Sequence, residues 1–202
     1  MKKLFFTCLA LFVLSLFSFS GVHATLVVKD DAVFGDDAIT LDTDTGWEWL
    51  DLSASLGKSR SYVNTQFGVG GAYEGFRYAT VAEAEGLCVA AGMPLGETQN
   101  QADFDAVAYL VSLVGQTRSQ AGYPEILSMT ESGTSVGADF YWANGVPTYL
   151  TGLTGQWYGE TAAIATVSSW LVREAAPVPL PGAVLLLGSG LLRLIGIRRG
   201  RS

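Results

Sequence analysis

The spacing of apolar residues changes character several times along this 202-residue chain, and each change marks an element. Leu26-Val27-Val28 is a short apolar run. Trp47-Glu48-Trp49-Leu50-Asp51-Leu52 reads as a strand by its aromatics, with Trp47 and Trp49 sharing one face. Ser59 to Gln66 is a short helix candidate, and Phe76-Arg77-Tyr78-Ala79 is extended. Val81, Ala84, Cys88 and Ala91 then recur at helical spacing. Thr80 caps that helix, Glu83 completes a capping box, and Gly92 ends it. A second helix is predicted from about Thr98 to Val114. Its core stripe is Phe104, Val107, Ala108, Val111 and Val114, and Glu97, Asp103 and Asp105 favour its N-terminal end. After Gly115 the pattern turns to short, glycine-bounded strands: Glu125 to Met129, Gly137 to Trp142, Thr148 to Leu150 and Ala162 to Arg173. Strand, two helices, then strands predicts an α+β fold rather than a sandwich. The expectation is one compact domain with two main helices and short antiparallel strands.

The two ends follow different rules. Lys2 and Lys3 form a charged n-region, Leu4 to Phe19 an apolar h-region, and Val22-His23-Ala24 a small-x-small cleavage site. Residues 1–24 therefore read as a signal peptide. Residues 177–202 have three parts in order. Pro177, Pro179 and Pro181 hold a hinge extended. A 16-residue run from Gly182 to Ile197 follows, apolar apart from small residues and Arg193. That is just short of the roughly 17–25 residues of a membrane helix. Arg198, Arg199 and Arg201 close the chain, on the side that positive charge keeps cytoplasmic. The roughly 150 residues between the ends, 25–176, suffice for one domain with a real core.

Charge and residue types then remove whole classes of function. The chain carries −7 overall, but residues 25–176 hold six basic and all nineteen acidic residues, a net −13. So acidic a domain excludes nucleic acid, which is recognised through basic patches. The only histidine, His23, and Cys8 belong to the signal peptide, so the exported part keeps one thiol, Cys88, and no intrachain disulfide. That excludes a zinc site built on His and Cys, and any Ser-His or Cys-His nucleophilic pair. Cys88 on the apolar stripe reads as a buried structural thiol.

The remaining candidates each have a bland and a sharp reading. Asp42-Thr43-Asp44-Thr45-Gly46 has the alternating acids and glycine of a calcium loop, without the other ligands of an EF-hand. Asp42 and Asp44 are thus either calcium ligands or part of a solvated turn. Arg77 and Glu83 suit a binding role or a structural ion pair. Tyr141, Trp142 and Trp157 suit stacking on sugars or filling the core. Asp36 and Asp37 are adjacent on a strand and point to opposite faces, so they cannot flank one glycosidic bond. No constellation for catalysis is found, and the chain is not expected to be an enzyme.

Two resemblances add to these readings. The tail Val178-Pro179-Leu180-Pro181-Gly182-Ala183, with Leu-Leu-Gly-Ser-Gly-Leu-Leu and the closing Arg198, Arg199 and Arg201, resembles the PEP-CTERM sorting signal of Gram-negative bacteria. Leu180 stands where the name-giving motif has glutamate. The resemblance implies export by the Sec machinery, transient anchoring in the inner membrane and processing by an exosortase. It also implies a final place at the cell surface or in the extracellular matrix. Second, the stretch from Trp47 to Leu52, then Gly75 to Thr80 with Glu83, then Trp170 to Arg173 is similar to a module of exported PEP-CTERM proteins and to C-type-lectin-like domains of bacterial surface proteins. Phe76 replaces the usual tryptophan, and the cysteine pair of the lectin-like fold is missing. The resulting expectation is an exosortase-sorted envelope or biofilm-matrix protein, structural in role and associated with exopolysaccharide. The alternative is a lectin-like carbohydrate-binding module assisted by calcium.

Overall fold

The computed structural model describes residues 26–176. The expected signal peptide and the expected sorting tail, with its apolar helix, lie outside the described residues. Among the described residues no helix is long and apolar enough to cross a membrane.

The architecture is α+β, with mostly antiparallel sheets and three α-helices. The first sheet has the order β1-β2-β3-β11-β4. Its strands are β1 (Leu26–Asp31), β2 (Gly35–Asp42), β3 (Trp47–Leu50), β4 (Arg77–Tyr78) and β11 (Leu171–Glu174). The second runs β10-β7-β8-β9-β5, with β6 (Arg118–Gln120) added on β7 (Tyr123–Met129). Here β5 is Gly96–Thr98, β8 Thr134–Ala143, β9 Val146–Trp157 and β10 Ser168–Ser169. Only β10 and β7 pair in parallel among the described strands.

The helices sit where their caps and apolar faces place them. Helix α1 (Arg60–Thr65) starts at Ser59, whose hydroxyl accepts from the Tyr62 amide. Helix α2 (Val81–Ala90) carries the expected capping box, with Thr80 and Glu83 satisfying each other's backbone donors. Helix α3 (Gln101–Val114) begins three residues later than the sequence pattern suggests. Asn100 is its cap, and Gly96–Thr98 is spent instead on pairing with β9. Ala108, expected in the core stripe of α3, is exposed, while Leu110 and Leu113 take the buried positions beside Val107 and Val114.

Ala162 to Arg173 is not one strand. Residues 162–167 lack strand pairing, and the rest divides at Trp170 into β10 and β11, one in each sheet. The reason lies in the hydrogen bonds of Trp170. Its amide donates to Met129 O in the second sheet (2.9 Å). Its carbonyl accepts from the Ala79 amide beside the first (2.9 Å). Its indole Nε1–H reaches Val136 O (2.9 Å), and its ring stands edge-on to Trp49 at 5.7 Å. This fully buried side chain joins the two sheets at the centre of the core.

The main core gathers Trp49, Leu52, Leu87, Cys88, Val107, Leu110, Ile126, Phe140 and Tyr149 around Trp170. A second, smaller core lies on the other face of the first sheet, where Ile39, Leu50 and Leu171 pack against Tyr73, Phe76 and Tyr78. That covered face is why this sheet hides residues of both parities. Close packing also constrains the second sheet: a Cβ at Gly137 would stand 2.1 Å from Ile126 O.

Candidate functional site

Four of the residues singled out from sequence meet around Trp47. The β2–β3 turn closes on Asp42, whose Oδ1 accepts from the amides of Asp44 (3.0 Å) and Thr45 (3.4 Å). Gly46 takes φ +75 there and donates its amide to Asp42 O. The turn delivers Trp47 to the edge of the main core, half-buried. The Arg77 guanidinium lies 4.8 Å from the Trp47 ring centroid. It is held there by a two-pronged pair with Glu83, at 2.9 Å and 2.6 Å, and by a bond to Tyr78 O. Glu83 also accepts from the Thr80 amide and hydroxyl. The hydrogen bonds from Arg77, chief among the causes, hold the Glu83 carboxyl down at about 2 against the opposing push of burial. The same pair raises Arg77.

Two hollows flank Trp47. One, of about 460 Å³, lies between the β2–β3 turn and α2, lined by Asp42, Asp44, Trp49, Glu83 and Val89. The other, of about 700 Å³, is lined by Glu48, Arg77, Arg173, Glu174 and Ala176. In the second, Arg173 donates to Glu48 (2.8 Å) and Asp31 (2.7 Å), and Lys29 also pairs with Glu48. Burial raises the Glu48 and Asp31 carboxyls, and the donors around them more than reverse that, so both end lowered. Among the described residues no three His, Cys, Asp or Glu side chains are grouped to hold a metal ion. Asp42 and Asp44 instead form the turn, with the Asp42 carboxylate folded onto its own backbone.

The three aromatics proposed for sugar stacking do not come together. Tyr141 and Trp142 are neighbours on β8, so they point to opposite faces. Trp142 pairs in register with Pro147, and Trp157 with Thr134. Eight residues of strand, about 26 Å, separate those two positions. Trp142 and Trp157 are both exposed.

Two groupings escaped the sequence pattern. Arg118 bridges Glu125 (2.6 Å and 3.2 Å) and Asp139 (2.9 Å). Glu125 is fully buried and accepts the Phe140 amide as well. Burial, then the neighbouring Glu125, raises the Asp139 carboxyl. These acids lie across one antiparallel pair, so their closeness depends on β7–β8 register, which sequence spacing does not give. The second grouping is a cleft of about 380 Å³ at the start of α3. Phe104, Tyr123 and Tyr149 line it, with Gln99, Gln101 and Asp105 around them. Tyr123 stacks on Phe140 at 4.1 Å, Phe104 stands edge-on to Tyr149 at 4.9 Å, and Trp142 leans edge-on against Phe140 at 5.8 Å. The one advance signal was the alternation of Phe140 and Trp142 on a single strand face.

No protein-family model, curated protein or solved structure matches this chain.

Proposed function

We propose that the chain is an exported envelope protein whose tail is read by an exosortase, and whose domain serves a structural role in exopolysaccharide. The observation that carries this is the order hinge, apolar run and arginine cluster at 177–202, opposite an export signal at 1–24. The marginal length of the run suits a transient anchor better than a permanent one. The partners are the Sec machinery, the inner membrane for a time, an exosortase and extracellular polysaccharide. The domain has no catalytic role in this reading. Intact mass of the surface-released protein is expected to show both ends removed. Released protein that still carries Arg198 to Ser202 would sink the proposal.

A second reading, a lectin-like carbohydrate-binding module, is favoured by the aromatic cleft at the start of α3. The C-type-lectin-like arrangement belongs to this reading. It draws support from the pairing of the third strand, β3, with the last, β11, while the helices and the long β8–β9 hairpin lie between them in sequence. Retention of the protein on the producing strain's own exopolysaccharide, with and without chelator, separates the two readings and tests the calcium assistance.

A further inference from the structure

We propose that the cleft at the start of α3 binds one or two rings of a neutral saccharide, with Phe104 and Tyr123, backed by the buried Tyr149, as its floor and Gln99, Gln101 and Asp105 as its rim. The proposal rests on the lectin-like reading and gives it a site other than the Trp142, Tyr141 and Trp157 set.

The floor offers the aromatic surface that a pyranose packs on: Phe104 and Tyr123 are both half-buried at the cleft, and the buried Tyr149 backs them. Sugar rings present a flat patch of C–H groups, which packs against aromatic surface. The rings here are held in place by one another: Tyr123 lies 11° from the plane of Phe140, and the Tyr149 hydroxyl donates to Pro124 O (2.7 Å). A floor so fixed loses little freedom when a ligand arrives. Trp142 extends the aromatic row, since it touches Phe140 and sits opposite Pro147, which also lines the cleft.

The rim supplies the polar half. Gln99, Gln101 and Asp105 are exposed. Gln101 Nε2 donates to Asp105 Oδ1 (2.8 Å), and Gln99 Nε2 donates to Thr148 Oγ1 (3.1 Å). These bonds orient both amides. Among the described residues no side chain or backbone donor reaches Gln99 Oε1, Gln101 Oε1 or Asp105 Oδ2. The rim is thus rich in acceptors, the complement of sugar hydroxyls acting as donors.

Charge selects within the sugars. The rim has one carboxylate and no cation, and residues 25–176 carry −13. Uronate or sulfated rings would be repelled, and neutral ones would not. The volume, at the small end of the roughly 300–1,000 Å³ of ligand pockets, limits occupancy to one or two rings.

The test uses the full-length chain in lipid nanodiscs, titrated calorimetrically with cellotetraose, chitotetraose and the anionic tetragalacturonate. At least one neutral oligosaccharide is expected to bind with a dissociation constant of about 1 mM or tighter. Tetragalacturonate should bind at least tenfold more weakly. The double substitution Gln99→Ala with Gln101→Ala should weaken neutral binding about tenfold, and Trp142→Ala a few-fold, with Cys88 still protected as evidence of an intact fold. No neutral binding at about 10 mM, tetragalacturonate binding as tightly, or affinity unchanged in the double variant would each overturn the site. Exopolysaccharide retention that survives the double variant overturns the cleft and leaves polysaccharide association standing. Oligosaccharide binding that the double variant abolishes upholds the cleft whether or not cells release the protein, since release is read separately by intact mass and bears only on the sorting proposal.

Discussion

The surroundings of Trp47 and the cleft at the start of α3 both combine aromatic rings with polar side chains, yet their polar groups are used differently. Around Trp47 the charges answer one another: Arg77 is forked onto Glu83, Glu83 also caps α2, and Arg173 and Lys29 converge on Glu48. At the α3 cleft the amides are oriented by one bond each, and acceptor oxygens remain over. A group whose hydrogen bonds are already made gains little from a ligand, because the ligand must first displace a partner. The residues that look most functional in sequence, arginine and glutamate near a helix start, thus become a brace. Glutamines that drew no notice become the receptor-like rim.

Both regions hang on the same joint, so the largest effect should come from breaking it. Trp170→Ala removes the ring against Trp49 and the indole bond to Val136 O. It is expected to cost about 3–5 kcal/mol, read as a fall in the urea midpoint. If the cost is under about 1 kcal/mol, the two sheets do not depend on Trp170 and the two regions are independent units.

Acid should separate the regions. The Glu83 carboxyl is lowered to about 2 from an ordinary 4.5, first by Arg77. A lowered folded-state value means that its stabilisation is complete above about pH 4.5 and fades as pH falls toward 2. The pair is partly open to solvent, with Arg77 44% and Glu83 22% exposed, so the contribution is screened to about 1 kcal/mol. Glu83→Gln should therefore lose about 1 kcal/mol at pH 7 and almost nothing at pH 2. An equal loss at both pH values would show that capping by the side chain, not its charge, is what matters.

Cys88 gives the comparison a neutral reporter. Burial pushes its thiol up to about 12, and its side chain is fully enclosed beside Leu87 and Ala84. The native protein should resist a bulky maleimide and show no disulfide-linked dimer on a non-reducing gel. Cys88→Ala should cost about 1 kcal/mol. Rapid labelling in the Glu83→Gln variant at pH 7 would mean that α2 has opened, and that the brace holds more than its own cap.

How much of this was legible beforehand follows from range. Caps and helical stripes are local, so Thr80 with Glu83, and the burial of Ala84 and Cys88, could be read directly. The start of α3 falls later than its local pattern predicts because Gly96–Thr98 pairs with β9, a partner some fifty residues away that no local propensity encodes. The split at Trp170 is of the same kind, a backbone serving two sheets at once. Site reading failed for a related reason. Tyr141, Trp142 and Trp157 are grouped by residue type, whereas a site is grouped by register, and register put Tyr123, Phe140 and Tyr149 together instead.

The smallest expected effect is at the acidic turn, and it sharpens the contrast from the other side. Asp42 is 4% exposed and accepts two backbone N–H groups through Oδ1. An asparagine carbonyl can accept the same two bonds, and asparagine tolerates turns as well as aspartate does. Asp42→Asn with Asp44→Asn should therefore change stability by less than about 0.5 kcal/mol, and adding calcium should leave the melting temperature of the unsubstituted chain where it was. A turn that held calcium would behave differently on both counts. Its carboxylates would repel one another without the ion, so the asparagines would stabilise the calcium-free chain, and calcium would raise Tm by mass action. Thermal scans of both chains in chelator and in millimolar calcium decide the matter. A calcium-dependent rise in Tm that the double substitution abolishes would turn the surroundings of Trp47 from a brace into a binding site.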